Sequence, residues 1–433
     1  MYRITISLLL IFCNYTAAAQ SKSIYPQMAD SVDTYINNAI EEHYFPGAQL
    51  VVGNSDEVIY SKSYGYLDYS RRVPVESATL YDLASCTKAL ATTFAVMTLV
   101  DEARLSLDAT VGELLEGGDS FSYSNVRVHN LLHHNSGFSS SVGVARALVQ
   151  SKSSSIPLIA RKRSSKNPYL FDDNYFIARY TIYDPTYVSP QYRGVQIAKG
   201  AFLNRDFNVK LDSMICAAYN PEQLGIYRYS DLNFYVLGKI VERITQKPLD
   251  KYVGELYSRM CVNDLGFKPL EWSDVERIAP TECDMLLRRD TVRGVVHDEL
   301  AFVQGGVCGG AGLFGSAESV AQVCAMFLRG GIDYCGNDMI RTSTLEHFTL
   351  AKHFDSGGIH ALGFDKVNPD KRPYAAESYG HAGFTGTYFW VDPTRNIYVV
   401  LLTNRVHPTR ANRKLTGDYR AELWQMVCRG LEY

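Results

Sequence analysis

The sequence has no C-x-x-C pair and no dense cysteine cluster, although it holds nine cysteines in 433 residues. A disulfide framework is therefore permitted but not demanded, and scattered small apolar thiols are expected to be packed in a core that needs no staples. Charge of either sign is in little excess, with a formal net charge of -3. This excludes the basic patch a nucleic-acid partner requires and the polybasic stretch of a membrane-surface anchor. The apolar run from Ile4 to Cys13 is about half the roughly 20 residues that span a bilayer, so no transmembrane anchor is expected. His129 and His133 have the i, i+4 spacing of metal ligands, yet no H-E-x-x-H and no third ligand accompany them, and no metal or other cofactor is expected. The glycine run Gly305 to Gly312 is followed by no G-K-[ST] and preceded by no clear strand, which excludes a phosphate loop.

With 46% hydrophobic and 21% charged residues, the chain has the composition and length of one large globular unit or two interleaved ones. Met1-Tyr2-Arg3, the short apolar run and Thr16-Ala17-Ala18-Ala19-Gln20 read as a cleaved secretory signal over residues 1–19. The mature domain is expected over 20–433, in a periplasm-like space. Gly47 to Gly53 and Glu57 to Tyr60 read as a β-hairpin, and Thr387 to Val391 with Ile397 to Thr403 read as a second one. Leu415 to Leu431 has helical spacing. Strands at both ends with helix-rich sequence between them predict an α/β fold. Its antiparallel sheet is built from both termini and flanked by helices, with a mostly helical lobe inserted. Within that lobe, residues 139–225 read as an insertion beside the active site, with aromatics from Tyr169 to Tyr192 that serve either as a substrate wall or as a private core.

Three segments carry chemistry. Ser85-Cys86-Thr87-Lys88 opens an apolar helical stretch, placing a hydroxyl and an amine on one face near a helix N-terminus, where developing negative charge is favoured. Serine needs a base within hydrogen-bond reach to act as a nucleophile. Tyr229-Ser230-Asp231 begins a second amphipathic stretch, and His381-Ala382-Gly383-Phe384 lies near the C-terminus. Cys86, one helical step from Lys88, is expected to turn away and pack.

In order and setting these segments resemble the S-x-x-K, Y-x-N and K/H-x-G motifs of the serine β-lactamase-like family, which includes class C β-lactamases, penicillin-binding carboxypeptidases and related esterases. Val128 to Phe138, with His134 at the family's structural histidine, Val296 to Glu299, Gly305 to Phe314 and Trp390 to Arg405 extend the resemblance over most of the chain from about Ile40. It implies Ser85 as nucleophile, Lys88 and Tyr229 as the groups that move its proton, and an oxyanion hole from the backbone N–H groups of Ser85 and Phe384. Gly383 is expected to keep a side chain from crowding the substrate. His381 stands where penicillin-recognising members often carry lysine, and is expected to donate to a substrate carboxylate or to Tyr229. Asp231 departs from the usual asparagine. A carboxylate cannot donate to a substrate carbonyl, so it is expected to pair with Lys88 or to accept from the substrate.

The implied activity is that of a secreted serine hydrolase working through an acyl-enzyme on Ser85, as an esterase or amidase on small acyl compounds or cell-wall peptides. The alternatives are an acyltransferase passing the acyl group to a small-molecule hydroxyl, then a D-Ala-D-Ala carboxypeptidase or β-lactamase, and last a catalytically silent binding protein.

Overall fold

A computed structural model describes residues 25–355 and 358–432; the leader-like residues 1–19 lie outside them. Five strands form the principal sheet: β1 (Gly47–Gly53), β2 (Val58–Gly65), β3 (Tyr379–Ala382), β4 (Tyr388–Asp392) and β5 (Ile397–Thr403). Their spatial order is β3-β4-β5-β1-β2, every neighbour antiparallel. The two terminal hairpins thus join through β1 and β5, with Ala48 opposite Thr403 and Val52 opposite Val399. β1 and β5 are buried along their whole length, as expected for strands covered on two faces, whereas the edge strand β2 is buried only at Tyr60 and Tyr64.

Alternation along the central strands divides the core in two. Leu50, Val52, Val399 and Leu401 point to one face, where α1 (Pro26–Glu41) contributes Val32 and Ile36 and the C-terminal helix contributes Leu423, Trp424 and Val427. Val51, Val400 and Leu402 point to the other face and to the large helical core. That core is fed by α2 (Phe94–Asp101), α3 (Asp231–Thr245) and α4 (Ala317–Leu328), while α5 (Gly417–Gly430) is the C-terminal helix. The side chain of Gln49 ties the layers by accepting from the Ala317 N–H at 2.8 Å.

The stretch between Val149 and Leu203, whose sequence is not helix-periodic throughout, supplies strands to the otherwise mostly helical lobe. It folds as short antiparallel ladders: 149–151 with 181–183, 159–160 and 169–172 on either side of 175–177, and 188–189 and 196–198 flanking 201–203. Such strands are too short for a periodic signature, and their spaced tyrosines and phenylalanines favour pleated surfaces. The helix Phe207–Ala217 then returns the chain to the core.

Candidate active site

Ser85 lies on a tight turn leaving the short strand Tyr81–Asp82. Ala84 before it is held at φ +46°, a left-handed conformation that a residue with a Cβ adopts at a cost. Asp82 holds this turn: its carboxylate accepts the Ala84 N–H at 2.9 Å and the His297 N–H at 2.7 Å. The following helix runs as a π-helical stretch from Lys88 to Thr93 before α2. This widened turn, a frequent feature of functional sites, replaces the regular α-helix that the periodicity predicts. It still brings Lys88 back to Ser85.

Lys88 is fully buried and donates in three directions: to Ser85 Oγ at 2.9 Å, to the Gly310 carbonyl at 2.9 Å, and to Asp231 Oδ1 at 2.7 Å. An ammonium has three N–H donors, and all three are used. Burial alone would push its pKa down, but Asp231 and Tyr229 outweigh that and hold it above the ordinary lysine range. The Gly310 carbonyl is a functional group that the motif reading missed. It reaches the lysine because the glycine run packs against α3, where a Cβ on Gly309 would overlap the Phe234 carbonyl. The Thr92 hydroxyl fixes the same run by donating to the Gly309 carbonyl at 2.8 Å.

Tyr229 and Asp231 arrive together because Ser230 caps α3, its hydroxyl accepting the Leu232 N–H at 3.2 Å. His134 holds the segment from behind. Its Nδ1 accepts the Ser230 N–H at 3.1 Å and lies 3.0 Å from Asn233 Nδ2, and its ring packs on Tyr229 with centroids 4.5 Å apart. Burial and the neighbouring charges keep His134 well below its ordinary pKa and therefore neutral. The Tyr229 hydroxyl interacts with both the Ser85 hydroxyl and Lys88. Burial pushes its pKa up to about 12 against the opposing pull of Lys88.

The fourth wall is the turn after β3. Thr385 and Thr387 donate to the carbonyls of Asp82 and Leu83 at 2.7 and 2.9 Å, clamping this turn onto the serine turn. A Cβ on Gly383 would overlap the Thr387 hydroxyl and press on the Leu83 carbonyl at 2.6 Å. The approach of two protein segments thus by itself requires the glycine. Among the described residues, the N–H groups of Ser85 and Phe384 donate to no protein acceptor, and both residues line one cavity of about 570 Å³. That volume falls within the usual range for small-molecule sites. Tyr229, Asp231, Gly310 and Gly383 line it as well.

A match to the family model described as Beta-lactamase covers residues 32–153 and 196–421. The chain belongs to the Beta-lactamase family. The interruption of the match at 154–195 falls within the short ladders described above. Similar curated proteins include a "putative D-alanyl-D-alanine carboxypeptidase" of Escherichia coli (strain K12), 27% identical over 93% of this chain and 90% of that one. Another is an "N-acetylmuramyl-L-alanine amidase" of Bacillus subtilis, 30% identical over 84% of this chain and 78% of that one. Among solved structures, EstCE1, a hydrolase with promiscuous acyltransferase activity, superposes with a TM-score of 0.63 at 20% identity over 93% of this chain and 99% of that one, a likeness of fold.

In this β-lactamase-family site His381 is buried behind Tyr229, with ring centroids 6.2 Å apart, and it does not line the cavity. Its Nδ1 lies 3.0 Å from the Ala382 carbonyl and 3.8 Å from Asp365. Burial lowers its pKa, with Asp365 opposing. A direct role on a substrate carboxylate, anticipated from the motif, has no support in this placement; its nearest functional neighbour is Tyr229. Cys86 is buried with Sγ near the His381 carbonyl and the Thr387 hydroxyl, at 3.5 and 3.6 Å. Burial pushes its pKa up to about 12, so it remains a thiol.

Two further features were invisible in the motifs. Asp298, which caps the helix Glu299–Val303 by accepting the Ala301 N–H at 2.7 Å, lines the cavity. Burial and the nearby Asp231 raise its pKa to about 6. From the inserted stretch the cavity takes Ser141, Val142 and Asp172 and none of the aromatics between Tyr169 and Tyr192. Tyr180 is exposed, Tyr183 donates to the Leu287 carbonyl at 2.7 Å, and Tyr187 packs on Phe207.

Proposed function

We propose that this β-lactamase-family protein is a serine hydrolase that forms an acyl-enzyme on Ser85, acting as an esterase or amidase on small acyl or peptide substrates. One observation carries the reading: Ser85 Oγ sits 2.9 Å from Lys88 Nζ in the same cavity toward which two unpaired backbone N–H donors are available. Such a pair of donors stabilises the oxyanion of a tetrahedral intermediate, each one worth about 3 to 4 kcal/mol.

The protonation states constrain how the serine proton moves. Lys88 is a donor on all sides and Tyr229 keeps its proton at neutral pH, so neither waits as a free base. The proton of Ser85 is therefore relayed: it passes to the Tyr229 oxygen as the phenolic proton passes to the leaving group. No phenolate accumulates, and Lys88 stabilises the charge that develops between them. Water then attacks the ester by the reverse path. Asp231 fixes the lysine and offers no N–H to a substrate carbonyl, which disfavours recognition of the acylamino group of a β-lactam. Transfer to an alcohol needs a pocket that holds the alcohol and excludes water, and the aromatics between Tyr169 and Tyr192 line none of the cavity, so hydrolysis stands first. The names of the carboxypeptidase and amidase relatives make cell-wall peptides the first substrates to try. Export is read from the leader-like residues 1–19 alone.

The test is steady-state hydrolysis of acetyl and succinyl nitrophenyl esters, D-alanyl-D-alanine peptides and a β-lactam by wild type and Ser85→Ala. Serine-dependent turnover of an ester or peptide supports the reading. Turnover unchanged by Ser85→Ala overturns it.

A further inference from the structure

His297 is fixed on every side but one. Its main-chain N–H donates to Asp82 Oδ2 at 2.7 Å, the carboxylate that also accepts the Ala84 N–H beside the nucleophile. Its carbonyl accepts from Nη2 of the buried Arg288 at 2.7 Å, and the same nitrogen donates to the Val296 carbonyl at 2.9 Å. Asp284 anchors that guanidinium in turn, at 3.2 Å. The imidazole stacks on the Phe384 ring, with centroids 5.6 Å apart and planes 27° from parallel, and its Nε2 lies 2.9 Å from Glu282 Oε2. Burial would raise the pKa of Glu282, but His297 and Arg410 outweigh it and hold this carboxyl below its ordinary value, ionised at neutral pH.

An ionised carboxylate can only accept, so Nε2 of His297 carries the hydrogen and Nδ1 of the neutral ring is an acceptor. Among the described residues Nδ1 has no hydrogen-bond partner. His297 is only 5% exposed, yet it lines the cavity that holds Ser85. A ring held through its backbone, its face and one nitrogen keeps the other nitrogen preorganised for whatever fills that cavity. Its sequence neighbours leave this nitrogen unused: Asp298 caps the following helix and Glu299 pairs with Arg410.

We propose that His297 is a specificity residue that accepts, through Nδ1, a hydrogen bond from an O–H or N–H on the acyl portion of the substrate. This rests on the serine hydrolase reading and deepens it, naming hydroxyacyl or acylaminoacyl compounds as preferred over plain aliphatic esters. Attack by Ser85 sends the carbonyl oxygen to the N–H groups of Ser85 and Phe384 and the leaving group to Tyr229. The Tyr229 ring packs on His134 and His381, whereas the imidazole of His297 lies on the ring of Phe384. The acyl chain takes the direction that remains, along the wall on which His297 stands. An apolar chain there leaves the acceptor unpaired and dry, which is the larger part of the discrimination.

The experiment measures kcat/KM for two matched pairs of nitrophenyl esters, each value divided by the alkaline hydrolysis rate of the same ester to remove inductive differences. One pair sets 2-hydroxypropionyl against propionyl. The other sets N-acetylalanyl against its N-methylated form, which has no N–H. The expected result is a preference of about tenfold or more for the donor-bearing member of at least one pair. A response in the first pair identifies a hydroxyl as the donor, and a response in the second an amide N–H. His297→Phe, which retains a ring against Phe384 and has no acceptor, should bring the ratio within that pair to about one. His297→Gln, which returns a carbonyl acceptor, should keep part of it. Ratios near one in both pairs for wild type overturn the proposal, and no variant is needed to see them. A ratio that persists in His297→Phe because both members fall equally also overturns it, since the residue would then act on the fold alone. Failure of the serine hydrolase reading is distinguishable, because it would appear as turnover of every ester by Ser85→Ala.

Discussion

Lys88 Nζ lies 2.7 Å from Asp231 Oδ1 and 2.9 Å from Ser85 Oγ, so the carboxylate that departs from the family's usual asparagine is bonded to the ammonium that touches the nucleophile. Asp231 thereby does two things. It sustains the charge of a lysine that burial would otherwise neutralise, and it fixes that lysine's third donor.

Replacing this carboxylate by the neutral amide in Asp231→Asn removes the largest influence that raises the Lys88 pKa. The lysine should then lose its proton at lower pH, and the alkaline limb of the kcat/KM profile should move to lower pH. The rate on a neutral ester should fall about tenfold, about 1.4 kcal/mol of transition-state stabilisation. A pH-rate series on both proteins measures the shift.

Gly383→Ala places a methyl group between the two segments that make the oxyanion hole, against Thr387 and Leu83. Relief requires the Phe384 N–H to move. The expected loss in kcat is about 10²-fold or more, the cost of misplacing one donor, together with a destabilisation of about 1 to 3 kcal/mol from overpacking. Kinetics and urea unfolding report the two effects separately.

Asp298→Asn should stabilise the fold at neutral pH. The folded pKa of this carboxyl is raised to about 6 from an ordinary 3.8, chiefly by burial and then by Asp231, so its ionised form is the one that opposes folding. Stability of the wild type should therefore rise as pH falls from 7 through 6 toward 4. The asparagine variant, whose side chain still caps the helix, should be more stable at pH 7 by about 1 to 2 kcal/mol after allowance for solvent screening. The advantage should vanish near pH 4. Thermal unfolding from pH 4 to 8 shows whether the two curves converge there.

Ser85→Ala should leave the thermal midpoint nearly unchanged while reducing turnover by about 10³-fold or more. The hydroxyl removed is bonded to a lysine that keeps its bonds to Gly310 and Asp231, so the buried charge remains compensated.

Much of this architecture was legible in the sequence. The terminal hairpins were readable because β5 is an uninterrupted run of branched and apolar residues and β1 carries Leu50-Val51-Val52, each with turn residues beside it. Ser85, Lys88, Tyr229 and Asp231 were readable as motifs, and the structure brings them together. The Gly310 carbonyl was not readable as a lysine partner, because a backbone acceptor leaves no side-chain signature. Asp298 and Asp172 were equally silent as cavity residues, since the helix cap and the short strand end that carry them are placed by tertiary packing. The insertion was recognisable by its composition, but its ladders of two to four residues are shorter than any periodicity that could be read from them. His381 is placed beside Tyr229, one of the two partners expected for it, and outside the cavity lining. Its motif is intact, yet the pleat of β3 turns the imidazole behind Tyr229 and away from the cavity.

The central claim, that Ser85 is the nucleophile of a covalent cycle, is tested most directly by intact-protein mass and peptide mapping after treatment with a fluorophosphonate. A single adduct on the peptide carrying Ser85, absent from Ser85→Ala and slowed in the Asp231→Asn variant, is the predicted result. An adduct on another residue, or none on a folded protein that still turns over esters, would contradict it.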